Sequence, residues 1–271
     1  MSGRGFFWSE LTTNDFKALD PEKTIAILPV AATEQHGPHL PIMTDTAIAE
    51  GMIAILKNRL PAELTVLVLP IQSIGKSNEH LLSPGTLSLS AETLLRVLVE
   101  TGEGVRRAGL RKLVFANSHG GNTSVLATAS RELRVRLDML VVSTHWRWFG
   151  LPDGMYDEVE ARHGIHAGDI ETSLLLKFRG DLVRMDKAKN FVSSAIAMEK
   201  EFSHLSAAGT HGFGWIAQDL NPDGAVGNAT LATAAKGERT AIHQVDGFIK
   251  LLRDMASFSL DRLYKDADPV R

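Results

Sequence analysis

Four short runs rich in Val, Ile and Leu, separated by segments with helical periodicity, predict an α/β chain built on a parallel sheet. The runs are Thr24 to Ala31, Leu64 to Leu69, Lys112 to Ala116 and Met139 to Thr144. A second observation gives that sheet a working edge. Polar and His-bearing residues follow directly on three of the runs, where open parallel sheets bind their ligands: Glu34 and His36 after the first, Ser118 and His119 after the third, Trp146 after the fourth.

Each element has its own local reason. Helical patterns cover about Thr46 to Arg59, Ala91 to Ala108 and Thr123 to Leu137. Pro61 ends the first, Ser90 with Thr93 starts the second, and Gly109 ends it. A further helix, about Gly168 to Phe178, follows a loop rich in Gly and His. Residues 205–228 hold many Gly, Asn and Pro and read as a long ordered loop, and a closing helix is expected from Ala229 to about Ser257. With no linker, repeat or low-complexity tract, the reading is one domain over residues 1–271.

Composition excludes several classes. The 271 residues are 44% hydrophobic and 23% charged, with a formal net charge of -3 and no cysteine. Acids and bases are interspersed, so no basic face invites nucleic acid. Disulfides, thiolate metal sites and a cysteine nucleophile are ruled out. Met1 to Leu11 lacks an apolar targeting segment and no run approaches a membrane span, so a cytoplasmic protein is expected.

The chemistry concentrates in residues 32–45. On an extended backbone, side chains at i and i+2 point the same way, so Glu34 and His36 can grip one site together. The turn through Gly37 and Pro38 can return Asp45 to it, and such oxygen and nitrogen donors suit Zn, Mn or Fe. His119, in Asn117-Ser-His-Gly-Gly-Asn122, is a candidate fourth ligand; the bland alternative is a His that merely packs in a strand-to-helix turn. Free amides at Gly120 and Gly121 suit developing negative charge. In His166-Ala-Gly-Asp-Ile-Glu171, Glu171 can be a fifth ligand and His166 can move a proton, against the alternative of ordinary helix-start acids. His80 is a candidate substrate contact or a locally bonded loop residue. Trp146 and Trp148 can wall a flat substrate or belong to core or interface; His39 reads as structural. No dinucleotide fingerprint, P-loop, G-x-S-x-G elbow or H-E-x-x-H zincin motif is present.

With these residues in view, the chain resembles the creatininase (creatinine amidohydrolase) family. The resemblance rests on Pro29-Val-Ala-Ala-Thr-Glu-Gln-His-Gly-Pro-His-Leu-Pro41, Thr44-Asp45, Asn117-Ser-His-Gly-Gly-Asn122 and His166-Ala-Gly-Asp-Ile-Glu-Thr-Ser173. Supporting pieces are Glu79-His80 with Pro84-Gly-Thr-Leu-Ser88, and Ala232 to Glu238. It implies a three-layer α/β/α fold, two divalent metals per subunit, hydrolysis of a cyclic or small non-peptide amide, and a homo-oligomer, often a hexamer. Carried over, Glu34, Asp45 and His119 hold one metal. His36, a bridging Asp45 and a further carboxylate hold the other, and His166 is the catalytic His. Creatininase has a Glu two residues after the ligand His where this chain has Gly121. The missing carboxylate is therefore assigned to Glu171, and creatinine is disfavoured as substrate. Ser118, Gly120, His80 and Trp146 complete the candidate substrate-binding set. Within the family, formamide deformylation and trimming of a peptide in cofactor biosynthesis are the alternatives; outside it stand a metal-binding sensor without turnover and a phosphate-ester hydrolase.

Overall fold

A computed structural model describes residues 5–264; Met1 to Arg4 of the N-terminal stretch read above lie outside them. The predicted strands form a four-stranded parallel sheet in the order β2-β1-β3-β4. The strands are β1 (Thr24–Val30), β2 (Thr65–Val68), β3 (Lys112–Asn117) and β4 (Leu140–His145). Every residue of β1 and β3 is buried, as near-continuous apolar runs require of central strands covered on both faces.

Alternation along the strands sorts their side chains into two cores. Ile25, Ile27, Val66, Val68, Val114 and Ala116 face one layer with residues of α1 (Thr44–Arg59), α4 (Asp169–Arg179) and α5 (Ala234–Ser257). Ala26, Leu28, Val30, Leu67, Leu113 and Phe115 face the other, covered by α2 (Ala91–Arg107) and α3 (Thr123–Leu137). The result is the expected three-layer arrangement. The chain leaves β1 towards one side and later crosses to β3 on its other side, so the crevice between their carboxyl ends is the topological switch point.

Two expectations shift on inspection. The closing helix starts at Ala234, not Ala229: Ala229–Leu231 is a separate 3-10 turn, and Thr233 caps α5 by accepting from Lys236 N at 3.2 Å. The 205–228 loop also carries more structure than its composition suggests. It holds a short helix at Ala217–Leu220 and ends in β6 (Gly227–Asn228), antiparallel to β5 (Asn190–Phe191). Among the described residues, no helix is long and apolar enough to cross a membrane.

The α4–α5 crossing depends on Gly237. A Cβ there would stand 1.9 Å from the Ser173 carbonyl oxygen, a backbone atom that cannot rotate away. Gly237→Ala should lower stability by about 3 kcal/mol, despite the gain of about 1 kcal/mol in helix propensity. Urea unfolding checks this, and a variant at least as stable as the parent would contradict the packing.

Candidate metal centre

The turn after β1 builds the first half of the centre. Glu34 N donates to Ile42 O at 3.0 Å, so the chain folds back on itself. Gly37, at φ +67°, makes the reversal, and Ala225 crowds the place where its Cβ would be. Asp45 then falls in the first turn of α1. Ser118, just past β3, fastens the two segments: its N donates to Val30 O and its hydroxyl donates to Asp45 O at 2.9 Å. Asn117 and Asn122 fold the next turn, pairing with His119 O and N and with Ala31 O.

These ties bring Glu34, His36, Asp45 and His119 together in the switch-point crevice, all buried. Asp45 lies between the two imidazoles. Its Oδ1 is 3.7 Å from His36 Nε2, and its Oδ2 is 3.6 Å from His119 Nδ1. Glu34 Oε1 stands 3.2 Å from His119 Nδ1, and Glu171 Oε2 stands 3.8 Å from His36 Nε2. Both site-facing ring nitrogens are free to ligate. His36 uses Nδ1 on the Glu34 carbonyl at 3.1 Å, and His119 donates through Nε2 to the Lys76 carbonyl at 2.9 Å. Donor atoms of Glu34, Asp45 and His119, and of His36, Asp45 and Glu171, lie close enough to hold one cation each, with Asp45 common to both groups. A third group, Glu34, His36 and His166, has the same capacity.

The donor atoms fit divalent cations on a second ground. Both oxygens of Glu34, Asp45 Oδ2 and His36 Nε2 are buried without a hydrogen-bond partner. An orphaned buried polar atom costs about 1–3 kcal/mol and more when charged, and a cation among them supplies the missing partner. Without one, protons fill the role. Burial pulls the His36 imidazole down, but Asp45, then Glu171 and Glu34, override it and raise it to about 9. Burial likewise opposes His119, which Glu34, then Asp45 and Glu79, raise to about 10. Burial raises Asp45 to about 6 against the pull of His36. Glu34 is held well below the usual carboxylate range because the surrounding histidines, His119 first, outweigh its burial.

The second half of the centre comes from the segment before α4. His166 bridges to Val226 of the long loop, its N–H to the Val226 carbonyl and the reverse. Its Nε2 donates to Gln35 O at 2.8 Å, so Nδ1, 3.7 Å from Glu34 Oε1, is the bare nitrogen facing the centre. Burial, then His36, pushes His166 down to about 4. Ala167 adopts φ +57°, rare for a residue with a Cβ, and its N–H donates to Glu171 Oε2 at 2.5 Å. Below this turn lies Glu160, buried, accepting from Asn228 N at 2.8 Å and Ile170 N at 3.3 Å. Gly164, Gly168 and Gly227 close around that carboxylate, each leaving no room for a Cβ.

The remaining sequence candidates divide. His80 lies inside the centre, not at its edge: it is buried, with Nε2 3.4 Å from Glu34 Oε1. Ser118 spends its hydroxyl on the Asp45 carbonyl, so it ties the backbone instead of offering a free contact. Gly120 is exposed beside His119. Trp146 is a correction: the 3-10 turn Trp146–Phe149 points it into the core against Phe248, with ring centroids 4.9 Å apart. Trp148 is the exposed indole, at 61%, with its ring 6.2 Å from His145. His39 is structural as read, bonded to Thr172 and stacked on Phe191. Gly121 has a packing reason: a Cβ would stand 2.4 Å from Glu79 Oε1 and 2.5 Å from His119 Nε2. Sequence reasoning missed Gln35 and Glu160. Alternation sends Gln35 away from its neighbours' site, and Glu160 finds a partner 68 residues on.

Because His36 and His119 hold protons near neutrality in the cation-free centre, loading should release about two protons per chain at pH 7 and tighten as pH rises towards 9–10. Calorimetry of Zn binding in two buffers of different ionisation enthalpy reads this. Heat independent of the buffer would contradict it.

Known proteins carry the same architecture and sequence pattern. The model of the Creatininase family, creatinine amidohydrolase, matches residues 9–252. The mycofactocin precursor peptide peptidase of Mycolicibacterium smegmatis is 34% identical over 245 residues, covering 89% of each chain. The creatinine amidohydrolase of Pseudomonas putida is 29% identical, covering 68% of this chain and 76% of that one. A solved creatininase variant complexed with creatine superposes with TM-score 0.71 at 25% identity, over 93% of this chain and 98% of that one. With the family model matching most of the chain and a relative 34% identical over 89% of it, the chain belongs to the creatininase family of hydrolases.

Proposed function

We propose that this chain is a single-domain, two-metal amidohydrolase that cleaves a C–N bond of a cyclic or small non-peptide amide with metal-activated water. The observation that carries the reading is Asp45, whose two oxygens face different imidazoles. In this reading Glu34, Asp45 and His119 hold one ion, and His36, Asp45 and Glu171 the other. Zn, Mn or Fe suit the mixed nitrogen and carboxylate donors. Bound there, two divalent ions supply a water acidified towards neutrality and a Lewis acid for the amide carbonyl.

The protein's own residues do the rest. His166 presents an unprotonated Nδ1 to the centre, with its other nitrogen held by the Gln35 carbonyl. It takes the proton of the attacking water and returns it to the departing nitrogen, which leaves poorly as an anion. The open backbone at Gly120 can face developing charge on the carbonyl oxygen. Trp148 offers a flat apolar wall near His145. The sheet and helices exclude bulk water from Glu34, His36 and Asp45, which strengthens every electrostatic contact among them.

A second reading, trimming of a short peptide at the same centre, is favoured by one observation. The M. smegmatis peptidase aligns over 89% of this chain, against 68% for the P. putida creatinine amidohydrolase. Gly121 in place of a Glu also weighs against creatinine. A cytoplasmic homo-oligomer, with six subunits, belongs to the proposal too and is checked by light scattering.

A panel of cyclic amides, N-formyl amides, short peptides and a phosphate ester separates these readings. Turnover of an amide supports the proposal; turnover of the phosphate ester alone, or of nothing in metal-replete protein, contradicts it. Asp45→Ala should cut bound metal from about two ions per chain to one or none and abolish most activity. His166→Asn should keep the metals and lower kcat by roughly 10²- to 10⁴-fold. Near-parental kcat in the His166 variant would remove that residue from the mechanism.

A further inference from the structure

Gln35 lies between two candidate ligands in sequence yet does not face them as a ligand would. Its amide is saturated on both ends. Oε1 accepts from Gly37 N at 2.9 Å, and Nε2 donates to Gly224 O at 2.7 Å. The Gly37 N–H can only donate and the Gly224 carbonyl can only accept, so the oxygen and nitrogen ends cannot be exchanged. His166 Nε2 also lies 3.2 Å from Gln35 Nε2, but it is spent as a donor on the Gln35 carbonyl and cannot accept, so the second hydrogen of Nε2 is left for His80 Nδ1, 2.7 Å away. His80 must accept it there. Its own proton is then confined to Nε2, the nitrogen 3.4 Å from Glu34 Oε1.

The His80 ring is stacked on His166 at 4.3 Å between centroids with an interplanar angle of 24°, and His166 lies beside His36 at 4.2 Å, tilted by 35°. A half-turn of the His80 ring would keep its plane but put a carbon where Nδ1 stands and so break the Gln35 bond. We propose that Gln35 is a positioning residue that locks His80 as its Nε2–H tautomer, so that the centre receives a neutral N–H donor opposite the bare Nδ1 of His166. The two imidazoles are thereby set to opposite tasks by groups on one residue: the Gln35 side chain donates to His80, and the Gln35 carbonyl accepts from His166. One ring offers hydrogen to the reacting group while the other offers a lone pair. An N–H at that point can bond the carbonyl oxygen as charge develops; a lone pair there would repel it. The catalytic consequence rests on the amidohydrolase reading, but the tautomer lock does not.

The test is the tautomer itself, read by long-range 15N–1H correlation on imidazole-labelled full chain, both metal-free and loaded with Zn. His80 is expected as the Nε2–H form in both. Gln35→Glu places an acceptor where the donor stood and should move the proton to Nδ1. On any amide the enzyme turns over, that variant should lose roughly 10²-fold in kcat with little change in KM. Should Gln35→Glu misfold, His80 replacements decide. His80→Gln carries an amide N–H where Nε2–H stands and should retain more turnover than His80→Asn, whose shorter side chain cannot. An Nδ1–H tautomer in the parent, or an unmoved proton in Gln35→Glu, would overturn the lock. A moved proton with unchanged kcat would overturn its catalytic role. If no amide is turned over, the functional reading fails while the spectra still decide the lock.

Discussion

Asp45 sits in the crevice between β1 and β3 with almost no access to water, its two oxygens divided between His36 and His119. Glu34 lies beside it, also buried, with neither oxygen hydrogen-bonded. Two carboxylates in that position repel each other, and each has given up solvation worth several kcal/mol. Such a cluster persists only with positive charge among its members, either protons on the imidazoles or cations. The raised positions of His36 and His119 and the depressed one of Glu34 express the same demand.

Much of the surrounding backbone can be understood as the means of holding these groups together. Ser118 ties β1, β3 and the start of α1 through the Val30 and Asp45 carbonyls. Asn122 ties the turn after β3 to Ala31 and Lys76. On the far side, Glu160 gathers Ile170 and Asn228 beneath the His166 turn, and Ala167 accepts an unfavourable φ so that its N–H reaches Glu171. Strain of this kind costs on the order of 1–3 kcal/mol. Here it coincides with a carboxylate aimed at His36. The sheet supplies rigidity: its alternating side chains fill a core on each face, so strand ends cannot drift apart without opening both cores.

The fold was legible where the rule is local. Periodicity located the strands to within a residue or two, and the Ser90 cap starts α2 as its sequence suggests. The i, i+2 spacing of Glu34 and His36 and their nearness to Asp45 could be argued from one strand and one turn. What could not be read depended on partners far away in sequence. Trp146 and Trp148 are equivalent on paper, and only the turn after β4 buries one and exposes the other. Gln35 looks like a spacer until His80, 45 residues later, and Gly224, 189 residues later, are brought to its amide. Glu160 has no motif at all, since its meaning comes from glycines that surround it in space. The helix start at Ala234 was missed because Ala229–Leu231 is helical in propensity but turns as a 3-10 segment ahead of the Thr233 cap.

The central claim is that one carboxylate serves two cations. Its most direct test is anomalous diffraction from crystals of the Zn-loaded protein, collected on both sides of the metal absorption edge. The account predicts two anomalous peaks per chain on either side of Asp45, one with Glu34 and His119 and one with His36 and Glu171. A single peak held by one group, or two peaks that leave Asp45 outside their coordination, would contradict it.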